Sequence, residues 1–152
     1  NTGDPLNLNR GYWSFDTNVA VTWLNETSGT ELSVVAGLMA NTVNSHTDYH
    51  TGTEFHLEYV FNQFVTNFLS VGLHGYYYDQ IADDRPGPSA TAALNLLNLS
   101  ASDLRSSSHG LGPQANWIAN DNLTFAFSWI HDLYTRYRMP SDYFYLVTTV
   151  TF

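Results

Sequence analysis

The sequence predicts an all-β protein: an antiparallel up-and-down meander of a transmembrane β-barrel, with about seven strands. Three observations predict it. Apolar and polar residues alternate strictly over several segments, aromatic residues stand at the ends of the apolar face, and short turns alternate with long ones along the chain. Alternation sends successive side chains to opposite faces of a strand. Aromatic ends favour a lipid-facing strand, because Trp and Tyr prefer the two membrane interfaces. Short inner turns and long outer loops are the habit of outer-membrane barrels. Alternation alone does not name the solvent, so a β-sandwich is the second reading.

Residues 1–10 are rich in Asn, Gly and Pro and read as loop. From Tyr12 to Asn25 one face carries Trp13, Phe15, Thr17, Val19, Val21 and Trp23, with Ser14, Asp16, Asn18, Ala20 and Thr22 opposite. A polar turn around Ser28 leads to a strand over Thr30 to Asn41, then a polar loop around Ser45. The stretch from Thr53 to Gln80 reads as a hairpin broken near Asn67. Its apolar face holds Phe55, Leu57, Tyr59, Phe61, Leu69, Val71, Leu73 and Tyr77. The longest irregular piece follows, with an apolar patch over Ala92 to Leu99 that suits a loop helix. Strand character returns over His109 to Ala119, where Pro113 demands an edge, a bulge or a strand end. Asn120 and Asp121 turn tightly into a strand from Leu123 to Ile130; Tyr134 to Asp142 reads as loop, and Tyr143 to Phe152 as the last strand.

Turns near Ser28, Asn67 and Asp121 are short; those near Ser45, Pro88 and Pro140 are long. Placing Phe152 at the inner end puts every long loop outside, in a bacterial outer membrane. Single-chain bacterial barrels use even strand numbers from 8 upward. An odd count, and an opening without Met, a basic start or an apolar stretch, lead us to expect a single domain over 1–152 that is the C-terminal part of a larger barrel.

Composition narrows the functions. Aromatic residues make up 15% of the chain and charged ones only 12%, with a net charge of −9 and Arg as the sole strong base. Nucleic acid is excluded as a partner, since it demands a basic stripe. With no Cys there is neither a disulfide frame nor a thiolate metal site, and no cofactor is expected.

The face opposite the apolar one collects Glu54, His56, Glu58, His74, Tyr76, Tyr78, Gln80 and Gln114. Tyrosine rings stack on aromatic solutes and carboxylates accept hydroxyl hydrogen bonds, so these residues suit a lumen for hydrophobic or aromatic small molecules. A lumen that only holds water is the simpler account of them. Trp13, Trp23, Trp117, Trp129, Phe144 and Phe152 are the expected contacts with outer-membrane lipid. Asp79, Asp83 and Asp84, with Asp48, form a weak Ca²⁺ candidate against the simpler reading of a solvated acidic loop. His56, Glu58 and His74 read as lumen hydrogen bonding ahead of a metal site. Arg136 and Arg138 suit anionic headgroups or plain solvation. The final aromatic strand is expected to engage the barrel-assembly machinery by strand augmentation.

A lipid hydrolase using Ser107, Ser108, His109, His131 or Asp132 is the enzyme alternative. It lacks a Gly-x-Ser-x-Gly elbow, and the chain is expected not to be an enzyme. A structural barrel without transport is the other alternative.

The runs YWSFDTNVAVTWL, NSHTDYHTGTEFHLEY, VGLHGYYYDQIADD and GLGPQ, with the aromatic-ended last strand, resemble the outer-membrane family named for the MetA pathway of phenol degradation. The resemblance covers Asn9 to Phe152, and TDYHTGTEFH and GYYYDQ-x-x-DD are its most specific parts. It implies an outer-membrane β-barrel, encoded beside aromatic catabolism, that passes or binds such solutes. It carries no catalytic motif, and its members commonly run longer than this chain.

Overall fold

A computed structural model describes residues 11–152 of the protein. The loop expected over 1–10 lies outside the described residues. Seven strands form one sheet in sequence order, every neighbouring pair antiparallel. They are β1 (Ser14–Asn25), β2 (Thr30–Asn41), β3 (Glu54–Thr66), β4 (Leu69–Gln80), β5 (Ser107–Asn120), β6 (Leu123–Arg136) and β7 (Asp142–Val150). Among the described residues β1 pairs only with β2, and β7 only with β6.

Turn chemistry fixes the two ends of the sheet. At one end the β1–β2 turn is held by the Asn25 side-chain oxygen, which accepts from the N–H groups of Thr27 and Ser28 at 3.0 and 3.1 Å. The β3–β4 and β5–β6 turns lie at the same end. The other end carries the long connections, including α1 (Pro88–Leu96), whose first turn accommodates Pro88 because that N–H needs no partner. This helix begins four residues before the expected patch and ends before Leu97; Leu96 and Leu97 point into solvent.

Register keeps the two faces apart across the sheet. Trp23, Leu32, Phe61 and Leu73 stand side by side in successive strands, as do Val19, Ala36 and Leu57. One residue along, the other face aligns Gly37, His56, Tyr78 and Ser108. The sheet must curl. Laid flat, β1 and β7 would stand about 29 Å apart at the usual ~4.8 Å strand spacing. Instead Asp16 of β1 and Tyr143 and Tyr145 of β7 line one recess.

Burial is inverted relative to a water-soluble domain. Ile130 is the one buried apolar side chain among the described residues, while Asn41, Glu54, Asn62, Ser70, Gln80, Ser108, Ser128 and Asp132 are buried and polar. The large apolar groups stand outside. Trp13, Phe15, Val19, Val21, Trp23, Trp117, Phe127, Trp129, Phe144 and Leu146 are all exposed on the convex face. A sandwich would hide them in a second layer, and none is present among the described residues. Trp13, just before β1, and Trp23 within it are ten residues apart, about 33 Å along the extended chain and about 25 Å in height at a usual barrel tilt, which matches the apolar band of an outer-membrane barrel.

Three details differ from the sequence expectation. Strand β6 continues past Ile130 to Arg136, so the β6–β7 loop shrinks to residues 137–141. The continuation hides in the sequence because a bulge opposite His109 and Gly110 breaks the alternation near Leu133. Pro113 lies inside β5, a strand paired on both sides; its missing N–H is accommodated where the ladder to β6 is interrupted at Gly112 and Pro113. Strand β7 ends at Val150, and Phe152 lies exposed beyond it.

Candidate functional site

The concave face is built by polar side chains that reach across an intervening strand, and glycines make the crossings possible. His56 on β3 spans β2 to place its Nε2 2.9 Å from Asp16 Oδ1 on β1. It crosses at Gly37, where an added Cβ would fall 2.4 Å from the imidazole. Tyr76 on β4 crosses β5 at Gly110 and donates its hydroxyl hydrogen to Asp132 on β6; a Cβ there would stand 2.7 Å from the Tyr76 ring. Gln114 on β5 donates across Gly72 of β4 to Asn62 Oδ1 at 3.3 Å, and His74 Nδ1 lies 3.0 Å from Ser128 Oγ beyond Gly112. Within one face of a sheet, the direct neighbour usually blocks such second-neighbour bonds. Here its missing side chain opens them.

Buried polar groups demand partners, since an unpaired one costs about 1–3 kcal/mol. Among the described residues no buried side-chain nitrogen or oxygen lacks a partner. Asn116 Nδ2 donates to Ser70 Oγ at 3.0 Å. Asp132 also accepts the Ser141 N–H at 3.0 Å, which anchors the base of the β6–β7 loop to the concave face.

This face frames a recess of ≈ 490 Å³. Of the residues expected to line a lumen, Glu54, His56, Glu58, Tyr76 and Tyr78 border it. His74, Gln80 and Gln114 share the same face but lie outside its border. Tyr143 and Tyr145, absent from the expected set, complete an aromatic wall: their rings stack at 6.5 Å, Tyr143 meets Tyr76 edge-on at 5.8 Å, and Tyr145 meets His74 at 5.8 Å. Their alternation with Phe144 was the available signal.

Arg138 also turns inward. Its guanidinium carbon sits 4.2 Å from the centre of the Tyr78 ring, and Nη1 donates to Ser108 Oγ at 3.5 Å. That placement sets aside headgroup binding for Arg138. Arg136 instead donates to the Asp103 carbonyl at 3.4 Å and lies over the Tyr137 ring.

The acidic residues considered for Ca²⁺ do not converge. Asp84 accepts from the Tyr49 hydroxyl, from the Gly52 N–H at 2.8 Å and from Gln80 Nε2 at 2.6 Å. Asp83 pairs with Arg105 Nε at 2.6 Å, and Asp79 aligns with Phe55 and Ser107 in the ladder. Among the described residues no three His, Asp or Glu side chains are placed to hold a metal. Asp84 is a latch. It binds the two most specific sequence stretches, TDYHTGTEFH and GYYYDQ-x-x-DD, into one unit at the long-loop end, where His50 also bridges Arg85. Burial, and then the bond to Asp84, raise the Tyr49 phenol well above the ordinary tyrosine range, so it remains a donor. Gly52 is required by contact, since a Cβ would meet the Ala82 carbonyl oxygen at 2.0 Å.

The residues weighed for hydrolysis are separated by the pleat. Ser108 is buried on the concave face, while His109 stacks on Tyr134 outside. His131 pairs with Asp142 at 2.9 Å, and Trp129 Nε1 donates to the same oxygen, whereas Asp132 points the other way.

A family model described as the putative MetA-pathway of phenol degradation matches residues 1–147. The chain belongs to this family. No curated protein matches the sequence. Among solved structures, an outer membrane channel from Pseudomonas putida F1 is similar with a TM-score of 0.69 and 15% identity, covering 96% of this chain and 51% of that one. The chain therefore spans about half the length of that channel, and the likeness is one of fold. With its apolar groups outside and its polar groups enclosed, this family member is a bacterial outer-membrane protein built on a β-barrel wall.

Proposed function

We propose that the chain forms part of the wall of an outer-membrane channel that passes hydrophobic or aromatic small molecules. The aromatic recess on the concave face carries the reading: Tyr76, Tyr78, Tyr143 and Tyr145 present ring faces and edges beside the carboxylates of Glu54 and Glu58. A face built only to hold water has no need to gather four tyrosines. Rings offer stacking and edge contacts to a passing aromatic solute, and carboxylates accept its hydroxyl hydrogen bonds. The family description and the channel fold support the same reading.

Replacing Tyr143 and Tyr145 together by Ala should lower uptake of an aromatic growth substrate severalfold, with the amount of heat-modifiable barrel unchanged. Uptake equal to the parent at equal abundance would reduce these rings to lining. A purely structural barrel would in addition show no ion conductance in a planar bilayer.

A further inference from the structure

The recess holds one cation, Arg138, and two carboxylates, Glu54 and Glu58, that form no ion pair among the described residues. Among the described residues Arg138 has no carboxylate within 4.0 Å, and Glu58 has no Arg or His within the same range. Asp16, by contrast, is paired with His56. Arg138 is carried inward by the β6–β7 loop. Tyr137, in the left-handed conformation at φ 54, turns the chain just before it, and Asp132 pins the loop base through Ser141. One face of the guanidinium lies on Tyr78, and its only hydrogen bond to the protein among the described residues is the long one to Ser108. Its planar fork of donors is therefore available to a planar acceptor. Glu58 stands exposed on the recess border and offers only acceptors. The tyrosine wall lines the same recess.

We propose that this recess is a binding subsite for ring-hydroxylated aromatic carboxylates. The solute's carboxylate is received by Arg138, its ring by the tyrosines, and its hydroxyl donates to Glu58. A neutral phenol meets only the last two, and a simple aromatic acid only the first two. The inference rests on the aromatic-channel reading above and specifies its solute.

The test is block of ion current through the intact protein in planar bilayers at neutral pH, with para-hydroxybenzoate, benzoate and phenol as probes. Para-hydroxybenzoate should halve the current at a concentration about tenfold below phenol, a ratio typical of one added charge-assisted pair. Arg138→Gln should abolish most of that ratio, and Arg138→Lys should keep part of it, because Lys retains charge without the planar fork. Glu58→Gln should narrow the difference between para-hydroxybenzoate and benzoate. A ratio unchanged in Arg138→Gln overturns the subsite while the aromatic reading stands. If phenol and para-hydroxybenzoate both fail to block the parent protein, both readings fall. Should Arg138→Gln not assemble, the Arg138→Lys ratio decides, and its equality with the parent likewise overturns the proposal.

Discussion

The two faces of the sheet are built from the same strands, one residue out of step, and they obey opposite rules. On the convex face Val21 is 65% exposed and aligned with Val34; on the concave face its neighbour Ala20 aligns with Val35 and, one strand on, Glu58. Convex residues are large and apolar, and they are held by cross-strand contact, such as Trp117 stacked on Phe125 at 5.6 Å and Trp129 on Phe144 at 6.2 Å. Concave residues are polar and form bonds two strands away, over glycines. The difference teaches that lipid takes the place of a core on one side, while hydrogen bonding organises the other.

Breaking that comparison has its largest effect at the middle of the apolar band. Val19→Arg places a charge at the level where lipid is driest and should destabilise the barrel by about 2–4 kcal/mol in bilayer refolding. Ala20→Arg, one residue away, should cost under about 1 kcal/mol, since the concave face admits water and charge. A smaller effect is expected from Gly110→Ala. The new methyl meets the Tyr76 ring and, at 2.9 Å, the His131 carbonyl oxygen, so the Tyr76 to Asp132 bond must shift at a cost of about 1–3 kcal/mol in urea unfolding. The control is a convex small-to-small change, Ala36→Gly, with an expected cost below that of Gly110→Ala. The smallest effect belongs to the latch: Asp84→Asn should cost about 1 kcal/mol and show mainly as faster proteolysis of the β2–β3 and β4–β5 loops.

The strands and their faces were legible in the sequence because a period of two survives wherever both faces have distinct solvents. Five of the eight residues expected in the lumen border the recess, for the same reason. What stayed hidden depended on contacts far along the chain. Asp84 looks like a solvated loop acid until Tyr49, 35 residues earlier, is seen to donate to it. Arg138 lies in a loop, where no alternation tells inside from outside. Tyr143 and Tyr145 were on the correct face, yet tyrosine near a strand end also fits a membrane interface, so residue type alone did not mark them as lining.

Odd-numbered residues of β1 face lipid and even-numbered ones face water. The chain contains no Cys, so single cysteines introduced from Thr17 to Thr22 report without background. Spin labels at these six positions, in the intact protein reconstituted into bilayers, give oxygen accessibility for lipid and nickel-chelate accessibility for water. Oxygen should dominate at 17, 19 and 21 and the chelate at 18, 20 and 22. Equal chelate accessibility on both faces would contradict it.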